Sequence, residues 1–282
     1  MLGPRRPPVC LTIAGSDSGG GAGVQADLKA FAACGAHGAC ALTALTAQST
    51  VAVTAVHVVP PAFIVAQVRA VVEDLGVDAV KLGMLGGVES ISAVAEALTL
   101  VPRNVPVVLD PVMVAESGAR LLDPDAVRAL VELLVPRASV VTPNLSEARV
   151  LAAMATGPAT PSAAGADEAE ELARAIYGLR PGAVIVTGGH RERASDMLFD
   201  GTVVTELPGA RHPDGAAHGS GCTHASALAA HLAHGYSLPQ AAFAARAVAG
   251  EAVRRGLRKI GAGAGPVDVL GVVERTPRHE EA

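Results

Sequence analysis

The chain has 282 residues, half of them apolar, with a net charge of -5 and no tryptophan. That is enough apolar material for a substantial core and excludes a chain disordered throughout. The mildly acidic balance and the scarcity of aromatics exclude the basic field and stacking platforms of a nucleic-acid binder, and no run is long and apolar enough to span a bilayer.

Residues 1–8 carry Arg5 and Arg6 but lead into a polar glycine loop instead of a cleavage site, so a cytoplasmic location is expected. Cys10, Cys34, Cys40 and Cys222 contain no CxxC pair, and reduced thiols are expected. Cys34, His37 and Cys40 form a C-x2-H-x2-C array, but no fourth ligand lies nearby, so no metal is expected there.

Residues 9–14 form an apolar, β-favouring run that stops at Gly15-Ser16-Asp17-Ser18-Gly19-Gly20-Gly21-Ala22-Gly23, after which Val24, Leu28 and Phe31 follow helical spacing. This strand, glycine loop and helix lack the Gly-Lys-Ser/Thr ending of a P-loop. Gly21, Gly23 and Ala26 fit a loose GxGxxA pattern, yet after Asp27 the next acidic residue is Glu73, too distant to hold a ribose. A second apolar run, 39–47, ends at Gln48, where strand gives way to loop. An amide there donates and accepts at once, which suits the edge of an aminopyrimidine; an isolated loop Gln is also commonly just solvated.

Pro60-Pro61 starts a helix to about Leu75, and the strand 79–82 runs into Gly83-Met84-Leu85. A helix over 90–100 precedes a strand over 106–109 that ends in Asp110-Pro111-Val112-Met113. A helix over 125–134 precedes a strand over 139–141 ending in Thr142-Pro143-Asn144-Leu145-Ser146-Glu147, with another helix following. The loop 154–167, rich in Ala, Pro, Thr and Gly, reads as mobile. Next come a helix over 167–178, a strand over 183–186 with the loop Thr187-Gly188-Gly189-His190, and an antiparallel excursion over 197–199 and 203–207. Alternating strands and helices imply a parallel sheet covered on both faces. The expectation is one domain over 1–282, with loose ends at 1–8 and 276–282.

The segment His218-Gly219-Ser220-Gly221-Cys222-Thr223 opens a helix rich in Ala and Leu. Gly219, Ser220 and Gly221 would bare backbone N–H groups as a phosphate cradle, and Cys222 at the positive end of a helix would have its thiol pKa lowered. Polar residues gather at the strand ends, where open parallel sheets bind ligands. Among them Asp110 and Glu147 could hold Mg2+, although either could simply cap a turn or a helix, and Asp27 could face the same crevice or plain solvent.

Ala14 to Lys29, Thr43 to Gln48, Lys81 to Leu85, Asp110 to Met113, Thr142 to Glu147 and His218 to Thr223 together resemble the hydroxymethylpyrimidine/phosphomethylpyrimidine kinases of thiamine biosynthesis, in the ribokinase-like superfamily. The resemblance implies a three-layer α/β/α sandwich with a mostly parallel central sheet, commonly a homodimer. It implies MgATP-dependent phosphorylation of 4-amino-5-hydroxymethyl-2-methylpyrimidine and then of its monophosphate. By that likeness Gln48 reads the pyrimidine edge, with Gly15, Asp27, Met84 and Val112 around it. Asn144 and Glu147 lie near Mg2+ and phosphate, Thr187 and Gly189 belong to the ATP side, and Cys222 replaces the Asp base of most ribokinase-like enzymes. Thr187, Glu116 and Ala216-Ala217 stand where the family often has Lys, Lys and Asn-Thr. The rival readings are a pyridoxal kinase, a non-catalytic pyrimidine or nucleotide sensor, and a cysteine hydrolase assisted by His218 or His224.

Overall fold

The computed structural model describes residues 6–114, 118, 121–157, 167–188, 195–213 and 215–275. Residues 158–166 of the expected mobile loop, most of the expected N-terminal loose end and all of the C-terminal one, Glu116 and Gly189 lie outside the described residues.

The described elements run in the order β1 (Val9–Asp17), α1 (Gly23–Ala33), β2 (His37–Gln48), β3 (Val53–Val58), α2 (Pro61–Asp74), β4 (Ala79–Leu82), α3 (Val88–Ala97), β5 (Val107–Leu109) and α4 (Pro124–Leu133). They continue as β6 (Val140–Val141), α5 (Leu145–Thr156), α6 (Glu168–Tyr177), β7 (Val184–Val186), β8 (Asp196–Phe199), β9 (Val204–Leu207), α7 (Ser220–Ala233) and α8 (Leu238–Arg254). The strands form one sheet in the order β3-β2-β1-β4-β5-β6-β7-β8-β9. Pairing is parallel from β2 to β7 and antiparallel for β3 on β2, β8 on β7 and β9 on β8.

Period-2 alternation sorts the strand side chains onto two cores. Leu11, Ile13, Val80, Leu82, Leu109, Val141, Val184 and Val186 face α2 to α6. Cys10, Ala79, Val108, Val140 and Ile185 face α1, α7 and α8. The result is the expected three-layer sandwich, with strands apolar on both sides as buried parallel strands require.

Helix starts follow local chemistry. Asp123 accepts the Ala126 amide and Pro124 preorganises the first turn of α4. Asn144 and Glu147 form a reciprocal capping box on α5. That helix continues to Thr156, so Met154 belongs to it and not to the loop expected from that point. β3 and α8 are additional to the elements expected from the sequence. His37 and Cys40 lie three apart on β2 and so project to opposite faces, and among the described residues no group of three metal-ligating side chains converges.

Chain order reverses at β1, with β2 on one side and β4 on the other. The crevice at the carboxyl ends of these strands is where an open α/β sheet offers a binding site. No helix among the described residues is long and apolar enough to cross a membrane.

Candidate active site

One cleft of about 430 Å3 lies over that edge, lined by residues from both glycine turns and from the strand tips between them. At one end the loop after β1 is organised by Asp17. Its carboxylate accepts the amides of Gly19 at 2.8 Å, Gly21 at 3.1 Å and Ala22 at 2.8 Å, and lies 3.1 Å from His218 Nε2. Burial works to raise the Asp17 carboxyl, but His218 and the amides of Ala22 and Gly19 outweigh it and hold Asp17 below the usual carboxylate range.

Gln48 closes β2 on the same side. Its amide oxygen accepts from Thr46 Oγ1 at 3.1 Å, and its amide nitrogen has no partner among the described residues. Gly15 N donates to Met84 O at 2.9 Å, joining the ends of β1 and β4. A Cβ on Gly15 would lie 2.3 Å from Met84 Cε, so glycine is what lets Met84 fold against the loop. Gln48, Gly15, Met84 and Val112 all line the cleft.

At the middle stands the amino end of α7. Gly219 takes φ +84 as its N-cap, a left-handed conformation suited to glycine. The Ser220 amide donates to Ala217 O at 3.0 Å. The amides of Gly221 and Cys222 have no acceptor among the described residues, leaving two N–H groups at the positive end of a helix.

Cys222 corrects the expectation of an acidified thiol. Burial pushes its pKa up to about 12, and Asp27 and Asp110 add to the rise, against the pull of Lys81 and the Gly23 amide. The half-buried side chain still contributes to the cleft wall, and desolvation outweighs the helix end in setting the direction of its shift.

Asp27 is also corrected. It faces neither the crevice nor solvent but is fully buried between α1, β4 and α7. Lys81 Nζ binds both its oxygens, at 2.9 and 3.0 Å, while Thr12 Oγ1 and Ser226 Oγ donate to it at 2.6 and 2.7 Å. Burial disfavours the Lys81 charge, but Asp27, with Asp110 beyond it, outweighs it and holds the ammonium above its ordinary range.

Asp110 and Glu147 meet at the tips of β5 and α5. Asp110 Oδ2 lies 3.9 Å from Lys81 Nζ and is buried without a hydrogen-bond partner. Burial and nearby Asp27 raise its pKa against the pull of Lys81. Glu147 accepts the Asn144 amide at 2.9 Å and the Met113 amide at 3.4 Å, yet burial, with Asp110 alongside, raises it to about 8. Two crowded carboxylates, one with an unpartnered oxygen, are a donor set suited to Mg2+. At the far end Asn144 and Thr187 bridge β6 and β7, and Gly188 N donates to Asp196 Oδ1 at 2.8 Å. Asp196 lies 3.4 Å from both His224 Nε2 and Arg246 Nε.

The family model for phosphomethylpyrimidine kinase matches residues 17–268 of this chain. The chain belongs to that family. It is 48% identical over 264 residues to hydroxymethylpyrimidine/phosphomethylpyrimidine kinase of Rhizobium meliloti, covering 92% of this chain and 96% of that protein. Among solved structures, phosphomethylpyrimidine kinase from Clostridium difficile superposes with TM-score 0.72 at 37% identity, covering 85% of this chain and 96% of that one. Pyridoxal kinase from Staphylococcus aureus in complex with AMP-PCP and pyridoxal superposes with TM-score 0.82 at 32% identity, covering 96% of each chain.

Within this family fold the cleft gathers Gly15, Gln48, Met84, Asp110, Val112, Asn144, Glu147, Thr187, Gly219, Ser220, Gly221 and Cys222, residues drawn from seven separated segments. Asp27 stands behind the wall, and Gly189 lies outside the described residues. The imidazoles adjoining Cys222 in sequence turn elsewhere: His218 pairs with Asp17 and His224 faces Asp196. That disfavours a Cys-His nucleophile. Sequence reasoning passed over Lys81, Asp196 and Arg246 as site residues. A lysine inside the apolar strand 79–82 was the available signal, because a fully buried lysine requires a charged partner.

Proposed function

We propose that this chain transfers the γ-phosphoryl group of ATP to the hydroxymethyl oxygen of 4-amino-5-hydroxymethyl-2-methylpyrimidine, and then a second one to the resulting monophosphate. The observation that carries this reading is that Gln48 and the amino end of α7 line a single cleft, so a heterocycle edge and an anion can be held side by side. In each transfer a bond forms between the acceptor oxygen and the γ-phosphorus, the bond to the bridging oxygen breaks, and ADP leaves.

The chain's own groups divide the work. Gln48, with Gly15, Met84 and Val112, orients the ring. The amides of Gly221 and Cys222 face the transferring phosphoryl group, with Asn144 and Thr187 on the nucleotide side. Asp110 and Glu147 are the residues that would hold Mg2+, which neutralises phosphate charge when bound. Cys222 takes the hydroxyl proton as a thiolate, after its thiol has released its own proton to solvent in the cleft, an ionisation favoured by Lys81 and the Gly23 amide. A positioned base is worth about 10^2 to 10^4 in rate, and phosphoryl transfer leans more on positioning and charge than on the base. The monophosphate acceptor is already ionised and needs the base less. A homodimer is part of the same reading: Leu45, Val56, Val58 and Phe63 are exposed along the β2–β3 edge and the start of α2, an apolar margin that a second copy would cover.

The test is ADP release from ATP with the pyrimidine alcohol, its monophosphate and pyridoxal in turn. The reading expects turnover with both pyrimidines and a higher kcat/KM for the alcohol than for pyridoxal. A preference for pyridoxal would make the chain a vitamin B6 kinase, and no acceptor-dependent turnover at all would leave a binding protein. Cys222→Ala should slow the first transfer much more than the second; equal losses would remove the base role.

A further inference from the structure

We propose that His218 is a positioning residue which, through Asp17, clamps the anion-binding turn of α7 to the acceptor-binding loop after β1, so that ligands on the two walls of the cleft feel one another. The inference rests on the phosphoryl-transfer reading for the identity of the ligands, but the clamp itself is a matter of geometry.

Asp17 and His218 are 201 residues apart in sequence, and both side chains are buried in the cleft wall. The Asp17 carboxylate is the common hub: its Oδ1 accepts the Gly19 amide, while its Oδ2 takes the amides of Gly21 and Ala22 together with His218 Nε2. No slack exists between the two turns. A Cβ on Gly21 would lie 2.2 Å from His218 Cδ2, and a Cβ on Gly219 would lie 1.8 Å from Gly21 O. The two glycines therefore let the backbones touch, and the contact between Asp17 Oδ2 and His218 Nε2 fixes the register of that approach.

The far side of His218 is held as well. Its amide donates to Gly265 O at 3.3 Å and its carbonyl accepts the Val267 amide at 3.1 Å, so the backbone has little freedom to turn the ring away. His218 immediately precedes Gly219, the N-cap of α7, so any shift at His218 re-aims the amides of Gly221 and Cys222. Displacements of about 1 Å at such a centre cost up to about hundredfold in rate. A ligand that orders either turn orders the other through the shared carboxylate, which is a coupling between two sites.

The experiment titrates the full chain, with Mg2+, using a non-hydrolysable ATP analogue with and without saturating pyrimidine alcohol, in the wild type, His218→Gln and His218→Ala. The wild type should bind the analogue at least about fivefold more tightly when the alcohol is present, the lower range for coupled sites. His218→Ala should abolish that factor and lower kcat by about tenfold to a hundredfold, with smaller changes in KM. His218→Gln, whose amide N–H can still reach Asp17, should recover most of both. Uncoupled binding in the wild type, retained coupling in His218→Ala, or a Gln variant no better than Ala would each overturn the clamp. Should the Ala variant fold poorly, amide exchange in the wild type decides: the analogue alone should slow exchange at Gly19, Gly21 and Ala22, and unchanged rates would overturn the proposal. Absence of ADP release in the wild type would instead contradict the phosphoryl-transfer reading and leave the exchange result to judge the clamp.

Discussion

Lys81 Nζ lies 2.9 Å from Asp27 Oδ1, and neither side chain has any exposed surface. The pair is placed on the sheet face beneath α1 and α7, directly behind the cleft wall that carries Cys222. Its charge acts on the site without touching solvent.

Removing one member alone strands the other in a low-dielectric interior. Lys81→Met should therefore destabilise the fold by about 3–5 kcal/mol, the usual cost of breaking a buried pair. The double variant Lys81→Met with Asp27→Leu should recover much of that loss, because no uncompensated charge remains. Urea unfolding of the two variants checks this, and a single variant as stable as the wild type would contradict the buried pair.

The thiol of Cys222 gives a second check. With its pKa pushed from 9.0 up to about 12 by burial, the thiolate is a minor form at neutral pH. Alkylation at the Cys222 peptide should be slow and should rise about tenfold per pH unit through the alkaline range without levelling, since the thiolate is the nucleophile. A plateau near neutrality, followed by mass spectrometry, would contradict the assignment.

Two glycines of one turn should respond oppositely. A Cβ on Gly219 would meet Gly21 O, and the left-handed φ adds strain, so Gly219→Ala should lose both stability and activity. A Cβ on Gly221 meets nothing within 4 Å and lies in the first turn of α7. Gly221→Ala should keep or raise the melting temperature, helix propensity favouring Ala by roughly 1 kcal/mol, while the new methyl intrudes where the anion is held and raises the KM for ATP. Thermal unfolding paired with kinetics separates the two.

Stability should depend on pH through Glu147. Its pKa is raised from 4.5 in the unfolded reference to about 8 by burial and by Asp110. Between those values the folded state holds a proton that the unfolded state has released, so stability falls as pH rises through that window. Without Mg2+ the melting temperature should decline from about pH 4.5 to about 8, Glu147→Gln should flatten the decline, and Mg2+ at the alkaline end should restore the wild type more than the variant. Calorimetry across that window, with and without Mg2+, is the check.

Much of this arrangement was legible in the residues. The strand, glycine loop and helix over 9–33, the strand 79–82 and the polar tips at Asp110 and Asn144 follow from alternation and turn chemistry, and the cleft gathers them as strand-end logic requires. β3 escaped because its side chains are exposed or half-buried and its apolar residues Val53, Ala55, Val56 and Val58 do not keep the strict alternation of a strand with one face on a core. α8 escaped because alanines bury one face without a strong apolar stripe, although Ser237 and Gln240 form a capping box and Pro239 falls in the first turn. Asp27 and Cys222 were misjudged for one reason. Local placement at helix starts is visible in sequence, whereas the desolvation of Cys222 and the partnership of Asp27 with Lys81 come from segments more than fifty residues away.

The most direct measurement is a crystal structure of the chain with Mg2+, a non-hydrolysable ATP analogue and the pyrimidine alcohol. The account predicts Gln48 on the ring edge, the γ-phosphoryl against the amides of Gly221 and Cys222, and the hydroxymethyl oxygen about 3–3.5 Å from the γ-phosphorus. A nucleotide bound away from α7, or a pyrimidine out of reach of Gln48, would contradict it.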